Sequence, residues 1–235
     1  MDIQSYIEQD KELLLQWNGS DSIFWDGVIW VATSTYIWVP FALALLYVLF
    51  KNKSPKEALL VLTMVALTIA LADQIASGIC KPFFARFRPT QDPEIMYMVD
   101  LVYGYRGGRY GFISSHAANT FGVAVFVSLL MRNKLLSVVL ILWALLNAYT
   151  RIYLGVHYPG DILFGTLAGS IVGLLVYLLY KKISQRMVVS KRYISSQYTS
   201  SGYILSDVYF LVSVFMFTCI IIGIWGMINA HMLQF

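Results

Sequence analysis

The stretch Thr150-Arg-Ile-Tyr-Leu-Gly-Val-His-Tyr-Pro-Gly-Asp161 places an arginine, a histidine and an aspartate between two long apolar segments. Arginine holds a phosphate-like oxyanion with a fixed fork of donors. A histidine backed by a carboxylate is a nucleophile or base kept in one tautomer. Arg151, His157 and Asp161 together suit attack on a phosphorus atom. The same three also fit a snorkelling Arg, an interfacial His and a helix-capping Asp, and this stretch alone leaves both readings open. Two other pieces carry related chemistry. In Lys81-Pro-Phe-Phe-Ala-Arg-Phe-Arg-Pro89, Lys81 and Arg88 are spaced to approach one anion. Ile113-Ser-Ser-His116 puts two hydroxyls and a histidine at the start of an apolar segment, where free N–H groups seat a phosphate.

The elements that must position these residues are set by composition. The 235 residues are 58% hydrophobic and only 13% charged, whereas roughly a quarter of a soluble domain is charged. The chain therefore reads as one integral-membrane domain of packed helices. Its net charge of +4 is spent between apolar segments, where membrane orientation accounts for it better than nucleic acid does. Cys80 and Cys219 lie in or at the end of different apolar segments and read as small apolar fillers.

Residues 1–27 alternate Ile3, Tyr6, Ile7, Leu14 and Trp17 with acidic residues, the pattern of an amphipathic helix lying on a membrane. Six spans follow in residues 28–230: about 28–50, 58–80, 116–131, 135–149, 160–180 and 204–228. The polar stretch 81–115 forms a long loop, and residues 181–203 read as a basic surface loop. Odd-numbered connections carry Lys51, Lys53 and Lys56, then Arg132 and Lys134, then Lys181, Lys182, Arg186, Lys191 and Arg192. The N-terminal segment has Lys11 alone. The positive-inside rule then places both termini outside a bacterial-type inner membrane, facing the periplasm where there is one. Lys81, Arg86, Arg88, Arg106, Arg109 and Arg151 run against that rule, which marks them for another task. Asp73, within the second span, reads as a polar group facing the bundle or as part of a route for a headgroup.

Helix arithmetic brings the pieces to one depth. From Arg132 back to His116 is roughly 24 Å, and from Lys134 forward to Arg151 is roughly 25 Å, in a hydrocarbon core about 30 Å thick. Lys81 ends the second span at that side, and His157 and Asp161 open the fifth.

These motifs resemble the type 2 phosphatidic acid phosphatase family, whose fold is shared by vanadium haloperoxidases. The family reads Lys-x6-Arg-Pro, Pro-Ser-Gly-His and Ser-Arg-x5-His-x3-Asp. This chain reads Lys81…Arg88-Pro89, Ile113-Ser114-Ser115-His116 and Thr150-Arg151…His157…Asp161. Ile113 replaces proline, Thr150 replaces serine, and Ser115 replaces glycine beside the phosphate seat. A Cβ there either narrows the pocket or adds a hydroxyl donor.

The resemblance implies an all-α bundle of six transmembrane helices and a phosphohistidine mechanism. His157 would attack phosphorus, Asp161 would orient its ring, and His116 would protonate the leaving oxygen and then activate water. Lys81, Arg88, Arg151, Ser114 and Ser115 would hold the equatorial oxygens. It implies no metal and no cofactor. Asp92, Glu94 and Asp100 read as solvated loop charges; Arg106 and Arg109 either touch a second phosphate or headgroup or are ordinary interfacial residues. The expected partners are the bilayer and a lipid phosphate. Undecaprenyl diphosphate comes first because the site faces outside; phosphatidylglycerol phosphate, phosphatidate, the phosphates of lipid A and transfer to another lipid or sugar are the alternatives. The oligomeric state is open.

Overall fold

Helices with few charges must bury their backbone polar groups internally and pack against one another in lipid, and this chain does so. The computed structural model describes residues 3–187 and 196–230. Among these, every regular element is a helix. In order they are α1 (Ile3–Trp17), α2 (Ile23–Ala32), α3 (Val39–Asn52), α4 (Pro55–Asp73), the short α5 (Lys81–Phe84), α6 (Ser115–Met131), α7 (Lys134–Tyr153), α8 (Pro159–Met187) and α9 (Leu205–Asn229). Five stretches are long and apolar enough to span: Thr35–Asn52, Pro55–Phe84, Lys134–Tyr153, Pro159–Arg186 and Leu205–Asn229. Two shorter apolar helices accompany them among the described residues, α2 and the 17-residue α6. Of these, α6 is the central one, packed against α4, α7 and α8.

The α6–α8 contact rests on glycines. Gly165, Gly169 and Gly173 recur every fourth residue and so share one face of α8. A Cβ on them would strike the carbonyls of Ser114, Ala118 and Gly122 in turn. Small residues at this spacing let two backbones approach closely. The close approach sets the start of α6 beside the start of α8, and Ser114 N–H donates to the Asp161 carbonyl at 3.0 Å.

Three boundaries differ from those expected. The first span is not one helix from 28 to 50. The apolar run splits after Ala32 into the short α2 and the stretch Thr35–Asn52 that is long enough to span, with Thr33 and Ser34 at the break. The indole of Trp38 donates to the Ala32 carbonyl at 2.9 Å and satisfies a group the break frees. The second span does not end cleanly at residue 80. A π-helical turn over Gln74–Cys80 carries α4 into α5. The fifth span does not stop at residue 180: Lys181, Lys182 and Arg186 continue α8 as good helix formers. Lys191 and Arg192 of the expected basic connection lie outside the described residues.

At the end of the bundle away from the motifs, α3 and α9 are tied by Asp207. This buried carboxylate accepts from Lys51 at 2.6 Å and from Asn52 at 2.8 Å. At the motif end sits α1. Its Leu14 is fully buried against Ile95, Val99, Ile152 and Tyr158, while Tyr6 and Trp17 are exposed. The helix is amphipathic, and its inner face is seated on the head of the bundle.

Candidate active site

The π-helical turn sets the first side chain. Widened turns of this kind recur at functional sites, and here Asp73, Ser77 and Lys81 form a ladder. Ser77 donates to Asp73 at 3.2 Å, Lys81 donates to Ser77 at 3.1 Å, and Lys81 Nζ reaches Ser115 Oγ at 2.7 Å. Of the two readings of Asp73, the structure shows a polar link that steadies Lys81 through Ser77. Ser115, where the family pattern has glycine, accepts from Lys81 and keeps its own proton free to donate. Ser114 is fully buried, and its Oγ caps α6 by accepting from Ala117 N–H. His116 follows on the first turn of α6, where Arg151, His157, Arg88 and Lys81 are all close enough to act on it electrostatically.

Arg151 ends α7 and is 3% exposed. Its Nη1 donates to Thr33 at 2.8 Å and Nη2 to the Tyr105 hydroxyl at 3.4 Å. The break between α2 and α3 is what delivers Thr33. Among the described residues Nε of Arg151 has no partner and is buried, an arrangement that costs about 1–3 kcal/mol unless an acceptor meets it. Arg88 donates through Nε to the Tyr110 carbonyl at 3.0 Å.

His157 is 1% exposed and Asp161 is fully buried. Nδ1 of His157 lies 3.3 Å from Oδ2 of Asp161, so Nε2 is the nitrogen left for chemistry. Burial, then the charges of Arg88, Arg151 and Lys81, hold the imidazole well below its ordinary range, so it is neutral at pH 7. Gly111 closes over this pair: a Cβ there would lie 2.9 Å from Asp161 Oδ2 and 3.5 Å from His157 Nδ1. Asp161 also accepts from Tyr158 N–H at 3.0 Å and, through Oδ1, from Arg86 at 3.0 Å.

The structure thus brings Lys81, Arg88, Ser115, His116, Arg151, His157 and Asp161 to one end of the bundle, with Ser114 directly beneath as a cap. Arg106 and Arg109 lie on the loop that passes Arg88, where a Cβ at Gly107 would meet the Arg88 guanidinium. Arg106 donates to the Thr90 carbonyl at 3.1 Å, and Arg109 lies 5.3 Å from the Phe87 and Tyr110 ring centres. Two of the three loop acids are not simply solvated: Asp92 accepts from the Tyr158 hydroxyl at 2.7 Å, and Glu94 pairs with Lys11. Arg86, Thr33 and Tyr105 are partners that motif spacing did not reveal. Only the position of Arg86, against the positive-inside rule, marked it.

Lys81, Arg88 and Arg151 make no ion pair among the described residues, whereas neighbouring Arg86 makes two. Three cations held on neutral partners leave a seat of net positive charge, and phosphoryl chemistry rests mainly on positioning and such charge. A cavity of about 1290 Å³ opens between α1, α5 and the start of α8, on the side of Asp10 and Arg86, with Leu13, Phe84, Phe112, Leu163 and Phe164 among its walls.

The chain is similar in sequence to several phosphatases. The chain is 44% identical over 180 residues to a lipid A 4'-phosphatase of Bacteroides thetaiotaomicron, covering 76% of this chain and 80% of that one. It is 41% identical over 174 residues to a lipid A 4'-phosphatase of Porphyromonas gingivalis, covering 74% of each. An undecaprenyl-diphosphatase of Sulfolobus acidocaldarius is 30% identical over 60% of this chain and 62% of its own length. Among solved structures, Aquifex aeolicus LpxE superposes with a TM-score of 0.55 at 27% identity, covering 70% of this chain and 92% of that one. Residues 57–185 match the PAP2 superfamily, which takes in all three motifs. The chain is a membrane lipid phosphatase belonging to the PAP2 superfamily.

Proposed function

We propose that this protein removes a phosphate from lipid A at the outer face of the membrane, through a phosphohistidine intermediate. The observation that carries the reaction class is the set of three cations without carboxylate partners around a buried, neutral His157. Nε2 of His157 attacks phosphorus while His116, protonated once the charge of the bound phosphate offsets the surrounding cations, gives that proton to the leaving sugar oxygen. Lys81, Arg88, Arg151 and the Ser115 hydroxyl hold the equatorial oxygens, the Nε of Arg151 gaining its acceptor. In the second step His116 takes a proton from water, the P–N bond breaks, and inorganic phosphate leaves with His157 restored. Ser114, expected among the phosphate ligands, acts in this reading as the cap that fixes the phosphate-facing turn.

Lipid A displaces undecaprenyl diphosphate as the first substrate because the relatives named for lipid A are more similar and matched over more of the chain. Purified protein in detergent with EDTA should release phosphate from bis-phosphorylated lipid A faster than from undecaprenyl diphosphate or phosphatidylglycerol phosphate. Mass spectrometry should show lipid A losing a single phosphate. Faster turnover of undecaprenyl diphosphate would overturn the assignment while leaving the phosphatase mechanism intact.

A further inference from the structure

Arg86 bridges two carboxylates on different elements. Nη1 donates to Asp161 Oδ1 at 3.0 Å, and Nη2 donates to Asp10 Oδ2 at 2.7 Å. Asp10 belongs to α1, far from the motifs in sequence. Its second oxygen accepts from the Gly160 N–H at 2.7 Å, one of the free donors at the start of α8. The guanidinium also lies 4.0 Å from the centre of the Tyr158 ring, whose hydroxyl donates to Asp92. Arg86 is thereby fixed in plane, with both faces of its fork committed.

We infer that Asp10 and Arg86 are positioning residues for the reaction, so that α1 is a working part of the active site rather than only a membrane-surface helix. The inference rests on the assignment of His157 as nucleophile, with Asp161 behind it. Asp161 must hold Nδ1–H of His157 and face the imidazolium formed when Nε2 is phosphorylated. An arginine bound to Asp161 alone would compete for that charge. Asp10 shares the guanidinium, so Asp161 is oriented by Arg86 without being neutralised by it.

The two functions of Asp10 separate by substitution. Asp10→Asn keeps an oxygen for the Gly160 N–H and removes the charge; Asp10→Ala removes both. Asp10→Asn should lower kcat about tenfold, with KM within about twofold and an unchanged thermal midpoint. The acid limb of kcat/KM should move to lower pH. With Asp10 neutral, Arg86 weighs fully on Asp161, and His157, already facing Lys81, Arg88, Arg151 and His116, becomes harder to protonate. Arg86→Gln removes the guanidinium itself, and the Asp10→Asn, Arg86→Gln pair should be no slower than Arg86→Gln alone. A merely structural role would lower the midpoint and leave the limb in place. Wild-type kcat with an unmoved limb in Asp10→Asn, or multiplying effects, would overturn the inference. His157→Ala run in parallel separates the two failures: activity in that variant would remove the nucleophile, whereas its inactivity beside a wild-type Asp10→Asn would remove only the role of α1.

Discussion

Asp161→Asn should cost about three orders of magnitude in kcat while the protein stays folded. Oδ2 of Asp161 lies 3.3 Å from Nδ1 of His157, and neither side chain is more than 1% exposed. Phosphorylation at Nε2 turns the imidazole into a cation. At this distance and an effective dielectric near 20, the attraction to a carboxylate is about 5 kcal/mol. Arg86, 3.0 Å from the other oxygen, withholds part of it. A net loss of about 4 kcal/mol in the transition state is about a thousandfold in rate. The amide adds a second fault. If its NH2 faces Nδ1, the ring carries its proton on Nε2 and has no lone pair for phosphorus.

The fold should survive because asparagine keeps the shape and leaves Arg86 paired with Asp10. The assay is phosphate release at saturating substrate in detergent, beside the thermal midpoint and a His157→Ala baseline. A folded Asp161→Asn protein with kcat within tenfold of wild type would refute the reasoning and reduce Asp161 to a cap on α8.

Other expectations are as direct. Because burial and the neighbouring cations hold the His157 imidazole well below 6.5, kcat/KM should keep its plateau as pH falls through that value, and Arg88→Gln should raise the acid limb; a wild-type limb at or above 6.5 contradicts this. Gly169→Val should destabilise the protein by about 2 kcal/mol or more, because its Cβ meets the Ala118 backbone. Gly108→Ala, with open space at its Cβ, should leave the thermal midpoint unchanged; equal midpoints for both would refute the α6–α8 packing argument. For sidedness, Gly108→Cys at the motif end should react with an impermeant thiol reagent in intact spheroplasts and Lys134→Cys only after lysis, both in a chain with Cys80 and Cys219 replaced; the reverse order would place the chemistry in the cytoplasm.

What the sequence made legible is what depends on fixed spacing. Lys81 with Arg88, and Arg151 with His157 and Asp161, sit within single short stretches, so local geometry alone brings each set together. His116 and Arg151 were placed at one depth by counting helical rise from Arg132 and Lys134, and the structure sets them at one end of the bundle for that reason. The four-residue recurrence of Gly165, Gly169 and Gly173 is equally periodic and marks a packing face.

The rest depends on elements meeting. Hydropathy averaged over a window passes straight through Thr33, yet that hydroxyl, freed by a break in the helix, is what holds Arg151. A π-helical turn leaves no mark in apolar periodicity, though it aligns Asp73, Ser77 and Lys81. Asp10 is 76 residues from Arg86 and 150 from Gly160, and no local rule couples such positions. In the sequence Asp10 is one acid among several on an amphipathic helix. Its meaning comes from Leu14, one turn on, which packs α1 onto Tyr158 and Ile152 and so carries the carboxylate to the head of α8. The apolar residue fixes where the helix lies, and the charged residue then acts there.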